Sequence, residues 1–224
     1  MHIHIISIFP EMFASPFAAG IIARAIRQEV LQVTIHDLRQ WANDPYKSVD
    51  DHPYGGGAGM LMKIEPIYRA LQKIKSEIPK DETVKVAVTS AKGKLFKQQT
   101  AQELLKLDNL IILCGRYEGI DERVITHLCD FEISIGQFVL SGGEIAAMVI
   151  TDSISRLLPG VLGNEESLAS ESHNVEGLLE YPHYTHPASF VTDSGETWDV
   201  PEILLSGHHE NINNWRVANQ SKLS

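Results

Sequence analysis

Short apolar runs alternate with amphipathic segments over the first 160 or so residues of the chain. Apolar residues that are continuous or occupy every second position predict strands over residues 2–8, 31–37, 83–89, 110–114 and 130–133. Apolar residues at helical spacing predict helices over residues 17–29, 64–77, 95–105, 120–128 and 144–158. Strands that alternate with helices predict an α/β fold with a mostly parallel sheet.

Three segments that follow predicted strands are candidates for ligand binding: residues 89–94, 115–121 and 134–143. Ligands on parallel sheets bind beyond the carboxyl ends of the strands, so these segments are expected to form one pocket. Segment 115–121 has a glycine at each end, which suits either close backbone approach to a ligand or a tight strand-to-helix turn. Segment 134–143 is longer than a turn requires, and it suits either a clamp on a flat group such as adenine or an ordinary packed loop.

The chain changes character after Gly163. Residues 164–174 are polar and predict a linker, residues 177–201 are irregular, and residues 201–205 and 208–218 predict helices. We therefore predict a main domain over residues 1–162, a flexible linker over 163–176 and a small helical domain over 177–224. A long loop over residues 43–59, rich in glycine at its end, is a further functional candidate.

Composition narrows the class of protein. The chain is 43% hydrophobic and 21% charged, which is typical of an ordinary globular protein. No apolar run approaches the length of a membrane span, and the N-terminal residues lack the pattern of a signal peptide. Cys114 and Cys129 lie in or beside apolar strands, which favours buried free thiols and a cytoplasmic location. The net charge of −10 argues mildly against nucleic acid.

Several common site types are not supported. Glycines 115 and 119 lack the spacing of a dinucleotide site and no phosphate-binding loop follows, which argues against a nucleotide-dependent oxidoreductase. None of the ten histidines forms a metal-ligand pattern, so no metal site is predicted from spacing. Lys92, Lys94 and Lys97 form a basic cluster beside a candidate loop, although a solvated helix start explains them equally well.

Six motifs resemble those of the bacterial tRNA (guanine-N1)-methyltransferases, which belong to the SPOUT superfamily of knotted methyltransferases. They occur in order over nearly the whole chain: residues 51–60, 115–123, 134–144, 152–156, 159–164 and 181–187. The resemblance implies an α/β fold with a deep trefoil knot formed by the loops near 115 and 134. It also implies a homodimer whose composite active sites lie at the interface, S-adenosylmethionine as cofactor, and tRNA as substrate, with N1 of the guanosine directly 3′ of the anticodon (nucleotide 37) as the target.

The resemblance also implies roles for individual residues. The cofactor is expected to contact Thr89, Ser90, Gly115, Tyr117, Glu118, Gly119, Ser134, Ile135, Gly136, Gln137, Phe138, Val139, Leu140, Gly142 and Gly143. Guanine N1 must lose a proton before it is a good nucleophile, and this loss places negative charge on O6. Glu171 is the expected catalytic base and Arg156 the expected cation at O6. The family's dependence on Mg²⁺ makes that ion a further candidate, but the sequence shows no ligand set for it.

The chain departs from the family pattern in two places. It has Glu171, Ser172 and His173 where the family usually has Asp, Ser and Phe. From residue 164 onwards the only basic residues are Arg216 and Lys222, whereas the family's C-terminal module is usually more basic. We therefore expect RNA to be held mainly by basic residues of the N-terminal part: Arg24, Arg27, Lys92, Lys94 and Lys97. The alternatives are another SPOUT RNA methyltransferase, and an RNA- or adenosine-binding homologue that has lost catalysis.

Overall fold

The chain divides into two compact units, residues 1–163 and 164–224. A computed structural model describes residues 1–162, 171–173, 175 and 177–222. Much of the predicted linker, residues 163–170, 174 and 176, lies outside the described residues.

A five-stranded parallel sheet forms the centre of the first unit. Its order is β2-β1-β6-β5-β7, and every pair of neighbouring strands is parallel. The strands of this unit are β1 (His2–Ser7), β2 (Gln32–Asp37), β3 (Asp50–Asp51), β4 (Leu61–Met62), β5 (Val84–Leu95), β6 (Asn109–Cys114) and β7 (Phe131–Ser134), with β3 and β4 forming a separate antiparallel pair. The prediction of an α/β fold with a mostly parallel sheet is confirmed.

Helices cover both faces of this sheet. They are α1 (Ala14–Phe17), α2 (Gly20–Arg27), α3 (Ile64–Glu77), α4 (Gln98–Leu104), α5 (Glu122–Leu128) and α6 (Glu144–Ser155), with 3₁₀ turns at Pro10–Phe13 and Leu38–Trp41. Helices α2, α4 and α6 pack on one face, and α3 and α5 pack on the other. Strand β6 is buried along its whole length and contributes alternate residues to both cores, which explains its continuous apolar run.

The predicted loop over residues 89–94 is wrong as local structure, because β5 continues through it to Leu95. Thr89 and Lys94 both pair with Ile133 of β7, so the residues between them form a bulge. A Cβ atom on Gly93 would lie 2.7 Å from backbone atoms of Glu132 and Ile133. Glycine therefore permits the close approach of the two strands.

The second unit contains short helices and short strands. Strands β8 (Leu178–Leu179) and β11 (Ser221–Lys222) pair, as do β9 (Ser189–Val191) and β10 (Thr197–Asp199), both antiparallel. The helices are α7 (Glu202–Leu205) and α8 (His209–Ala218). The prediction that residues 177–201 are irregular is wrong at the three short strands β8, β9 and β10 and is confirmed for the rest of the segment. In the described part of the chain no helix has both the length and the apolar character needed to cross a membrane.

Candidate active site

A cavity of about 570 Å³ lies at the carboxyl ends of β6 and β7 and beside the bulge of β5. Its wall includes residues from the segments that follow β6 and β7, so the structure brings the two predicted glycine-bearing loops together. Every residue predicted to contact the cofactor lines this cavity except Gln137. Contact with a cofactor itself stays a prediction.

The two loops meet backbone to backbone at Gly143. Its N–H donates a hydrogen bond to the carbonyl oxygen of Gly115 over 2.8 Å. A Cβ atom at this position would overlap the Thr89 hydroxyl and would lie 2.9 Å from Cα of Cys114. The Thr89 hydroxyl is itself held by a hydrogen bond to the carbonyl oxygen of Leu113 at 3.2 Å. Glycine is needed here because the space is occupied, and the contact fixes the spacing of the two loops at this point.

The loop after β7 folds back on itself. The Ser134 hydroxyl donates to the carbonyl oxygen of Gly136 at 2.9 Å, which tightens the loop at its start. The Phe138 ring lies against Gly136, where a Cβ atom would come within 2.8 Å of Phe138 Cδ1. Phe138 nevertheless remains about half exposed, and Val139 is 86% exposed. Apolar surface is therefore available at the mouth of the cavity.

The loop after β6 is bound to the long loop that precedes β4. The Glu118 N–H donates to the carbonyl oxygen of Met60 at 3.0 Å, and the Met62 N–H donates to that of Gly119 at 2.9 Å. A Cβ atom on Gly59 would lie 2.7 Å from Oε1 of Glu118. The glycine-rich end of the long loop therefore packs on a carboxylate of the cavity wall. A function for this long loop stays a prediction.

Two titratable groups at the cavity, the Lys92 ammonium and the Tyr117 phenol, have shifted pKa values. A hydrogen bond from the Lys92 ammonium to Glu122, with 3.1 Å between Nζ and Oε2, raises the pKa of Lys92. Burial raises the pKa of the Tyr117 phenol, and the nearby Asp50 carboxylate raises it further. Lys92 is therefore cationic and Tyr117 neutral at physiological pH. Because Lys92 is paired with Glu122, the predicted basic cluster of Lys92, Lys94 and Lys97 has a smaller net positive charge than the three lysines alone would give.

Sequence reasoning missed three charged residues near the cavity: Arg116, Glu132 and Glu144. Oε2 of Glu132 is buried and has no hydrogen-bond partner among the described residues, although Glu132 lines the cavity. Arg116 and Glu144 form an ion pair with 2.8 Å between Nε and Oε2. Arg116 and Glu144 lie in the family motifs 115–123 and 134–144, which is a signal that could have identified them. No sequence signal pointed to Glu132.

The two predicted catalytic residues lie in different units. Arg156 is half-buried at the C-terminal end of α6, where its N–H donates to the carbonyl oxygen of Asp152 at 3.2 Å. Glu171 is half-buried and precedes Ser172, whose hydroxyl accepts a hydrogen bond from the Glu180 N–H at 3.0 Å. The structure therefore positions each residue locally, and their joint role in catalysis stays a prediction.

Comparison with known proteins gives the family of the chain. Residues 1–223 match the family model described as tRNA (Guanine-1)-methyltransferase TrmD. The chain belongs to this family. A tRNA (guanine-N(1)-)-methyltransferase of Dehalococcoides mccartyi strain BAV1 is 50% identical over 216 residues, which cover 96% of this chain and 84% of that protein.

Other members of the TrmD family are similarly close. The Geobacter sp. strain M21 protein of the same name is 49% identical over 222 residues, covering 99% of this chain and 86% of that protein. The Clostridium botulinum protein is 50% identical over 218 residues, covering 97% and 86% of the two chains. The family resemblance drawn from the motifs is confirmed.

A methyltransferase of this family requires a methyl donor, and the cavity suits a donor with a cationic centre. Glycines 115, 142 and 143 pack directly against neighbouring protein atoms, so the cavity wall at these positions is formed by backbone. Glu118 and Glu132 place carboxylates in the same wall. Within the described ranges, no group of three or more His, Cys, Asp or Glu residues could hold a metal ion. The carboxylates of the wall therefore suit the cationic centre of an organic donor.

Proposed function

We propose that the chain transfers a methyl group from S-adenosylmethionine to N1 of the guanosine directly 3′ of the anticodon of tRNA, nucleotide 37. The relatives are named as tRNA (guanine-N(1)-)-methyltransferases, and the chain is about half identical to them over nearly its whole length. The observation that carries the proposal is the cavity, because the two loops that hold family motifs form its wall.

The proposed donor site is built largely from backbone. Main-chain groups of residues 134–140 would hold the adenine, and Glu118 would lie near the cationic end of the donor. The Glu132 carboxylate, whose Oε2 has no hydrogen-bond partner among the described residues, adds negative charge to the same wall. When bound, S-adenosylmethionine would supply an electrophilic methyl group to N1, with S-adenosylhomocysteine as the leaving group.

The protein's own contribution to the chemistry is proton removal and charge stabilisation. The Glu171 carboxylate takes the proton from guanine N1, which leaves a lone pair on N1 for the methyl carbon. The Arg156 guanidinium stabilises the negative charge that this deprotonation places on O6. Glutamate is one methylene longer than the usual aspartate, so its carboxylate approaches N1 through a different rotamer or from a shifted linker.

A deep trefoil knot and a homodimer with composite active sites are part of the proposal. The hydrogen bond between Gly143 and Gly115 supports this part of the proposal, because a knot built from these two loops brings them into contact. Exposed apolar side chains support the dimer. Ile145 and Val149 lie one turn apart on α6 with 47% and 40% of their surface exposed, close in sequence to the exposed Val139.

The domain organisation of the proposal keeps the predicted boundaries. Residues 1–162 bind the donor, residues 163–176 connect the domains, and residues 177–224 contact tRNA. A cytoplasmic location and a contribution from Mg²⁺ complete the proposal.

Methyl transfer to tRNA transcripts tests this function. Transcripts that differ only at the nucleotide 3′ of the anticodon are incubated with S-adenosylmethionine, and the product is digested and analysed by mass spectrometry. We expect 1-methylguanosine at that nucleotide and no product when adenosine replaces the guanosine. A methyl group on a ribose or on another base would establish a different SPOUT methyltransferase. Cofactor binding without any product would establish a homologue that has lost catalysis.

A second series of transcripts varies only the nucleotide 5′ of the target guanosine. It shows which neighbour the enzyme requires and therefore which tRNA species it modifies.

A further inference from the structure

Arg116 connects parts of the first unit that are far apart in the sequence. Its Nε donates to Oε2 of Glu144 at 2.8 Å, and its Nη1 donates to the carbonyl oxygen of Ser141 at 3.1 Å. Its guanidinium carbon lies 4.6 Å from the centre of the Phe9 ring. One side chain of the loop after β6 is therefore bound to the loop after β7, to the first turn of α6 and to the segment after β1.

Glu144 is a fully buried carboxylate with a partner at each oxygen. It is 0% exposed, Oε2 accepts from Arg116, and Oε1 accepts from the Ser7 hydroxyl at 2.7 Å. Ser7 is itself buried at the end of β1. Well-packed apolar residues often stabilise a fold as much as a buried ion pair does, because the charges must be removed from water. The directional bonds of this pair therefore suggest a role in geometry.

Gly142 is required by the path of the Arg116 side chain. A Cβ atom on Gly142 would overlap Nε, Cδ and Cζ of Arg116. The next residue, Gly143, makes the hydrogen bond to Gly115 that closes the two loops. The ion pair and the backbone contact that fixes the spacing of the two loops are thus adjacent in the structure.

We propose that Arg116 and Glu144 are positioning residues, and that their ion pair holds the two loops at the spacing that the methyl donor requires. This inference rests on the proposed function of the cavity. Glu144 does not line the cavity, so its effect on donor binding must pass through Arg116 and the loops. The pair is expected to act on donor affinity and to leave proton removal from the guanine unaffected.

The first test separates this role from a contribution to stability alone. Arg116→Met leaves Glu144 buried without its cation and is expected to lower the melting temperature. The double variant Arg116→Met with Glu144→Gln removes both charges at nearly constant volume and should recover most of that loss. We expect the dissociation constant of S-adenosylmethionine, measured by calorimetry, to remain raised about 10-fold or more in the double variant. We expect kcat at saturating donor and KM for tRNA to change much less.

Lys85→Gln is the matched control. It breaks the ion pair of Lys85 with Asp130, 2.7 Å between Nζ and Oδ1, in the same sheet but away from the cavity wall. Its affinity for S-adenosylmethionine should equal that of the unaltered protein. A folded double variant that binds S-adenosylmethionine as tightly as the control would overturn the inference.

A second perturbation tests the inference without removing a charge. Gly142→Ala should displace the Arg116 side chain and weaken S-adenosylmethionine binding, and it should cause little further loss in an Arg116→Ala background. An equal loss in both backgrounds would also overturn the inference, because the effect would then not pass through Arg116. Failure of the unaltered protein to bind S-adenosylmethionine would instead refute the proposed function, and the inference with it.

Discussion

Acid should destabilise the first unit through three histidines, His2, His4 and His36, at the edge of β1 and β2. Nδ1 of His4 lies 3.1 Å from Nε2 of His36, and the ring centres of His2 and His4 are 3.7 Å apart. Only 7% of His4 is exposed. Burial lowers the pKa of all three imidazoles, and for His4 burial together with the positive charges of its two neighbours lowers the pKa to about 4.

The sign and size of the effect follow from these pKa values. In the unfolded chain a histidine binds its proton near pH 6.5, whereas folded His4 binds it near pH 4. The unfolded state therefore binds more protons between these values, so stability is full above pH 6.5 and is lost as the pH falls towards 4. A difference of about 2.5 pKa units corresponds to about 3 kcal/mol for His4, at 1.36 kcal/mol per unit. His2 and His36 add losses of the same sign.

Urea unfolding followed by circular dichroism between pH 7.5 and pH 4 measures this loss. We expect His4→Leu to reduce the loss by about 3 kcal/mol, because the variant has no proton to bind at this position. At pH 7.5 the variant should differ from the unaltered protein by less than this amount, because it loses the hydrogen bond between His4 and His36 and also removes the buried Nε2. His127→Gln, which removes an exposed histidine of α5, is the control. Equal pH dependence in His4→Leu and the unaltered protein would refute the reasoning.

Three further predictions concern strand pairing, proton removal and RNA binding. Gly93→Ala should lower the free energy of unfolding by about 1–3 kcal/mol, because its Cβ atom would lie 2.7 Å from the backbone of β7. Urea unfolding with Lys94→Ala as the control measures this loss, and an unchanged unfolding midpoint would contradict the close approach of the two strands. Glu171→Gln should lower kcat for tRNA methylation by about 100-fold or more and retain the affinity for the donor, whereas Glu171→Asp should stay active. Near-normal turnover by the Gln variant would exclude Glu171 as the base. Glu122→Gln should release Lys92 from its ion pair and strengthen tRNA binding, with a larger effect at low salt than at high salt. Filter binding at several salt concentrations measures this, and an unchanged affinity at low salt would mean that Lys92 does not contact RNA.

The sequence predicted the strands of the sheet better than the segments between them. The buried run of β6 and the alternation of β1 depend on local periodicity, and both were found in the right places. The extension of β5 past Thr89 was not predicted, because Gly93 between two lysines is typical of a turn. That extension is produced by pairing with β7, which lies about 40 residues further along the chain. No local pattern can report such a pairing.

The cavity wall shows the same limit in side-chain contacts. The glycine-bearing loops were found from spacing, but the Arg116–Glu144 ion pair joins residues 28 positions apart. Likewise, the alternation of His2 and His4 places them on one face of β1, yet only the pairing with β2 brings His36 beside them. The contacts of charged residues whose partners lie in another strand or loop therefore cannot be predicted until the order of the strands in the sheet is known.

Glycine serves two different needs in this cavity, and the difference decides which substitutions the site tolerates. Gly119 has a φ of +136°, so any side chain there strains the backbone even where space is available. Gly143 has an ordinary φ, and a side chain is excluded there by atoms of Thr89, Cys114 and Gly115. A smaller residue at position 89 can relieve part of the crowding at Gly143, whereas no change of neighbour can relieve the strain at Gly119. In the proposed donor site, the loop after β6 therefore needs glycine for its backbone conformation, and the loop after β7 needs glycine for its close packing against the neighbouring chain.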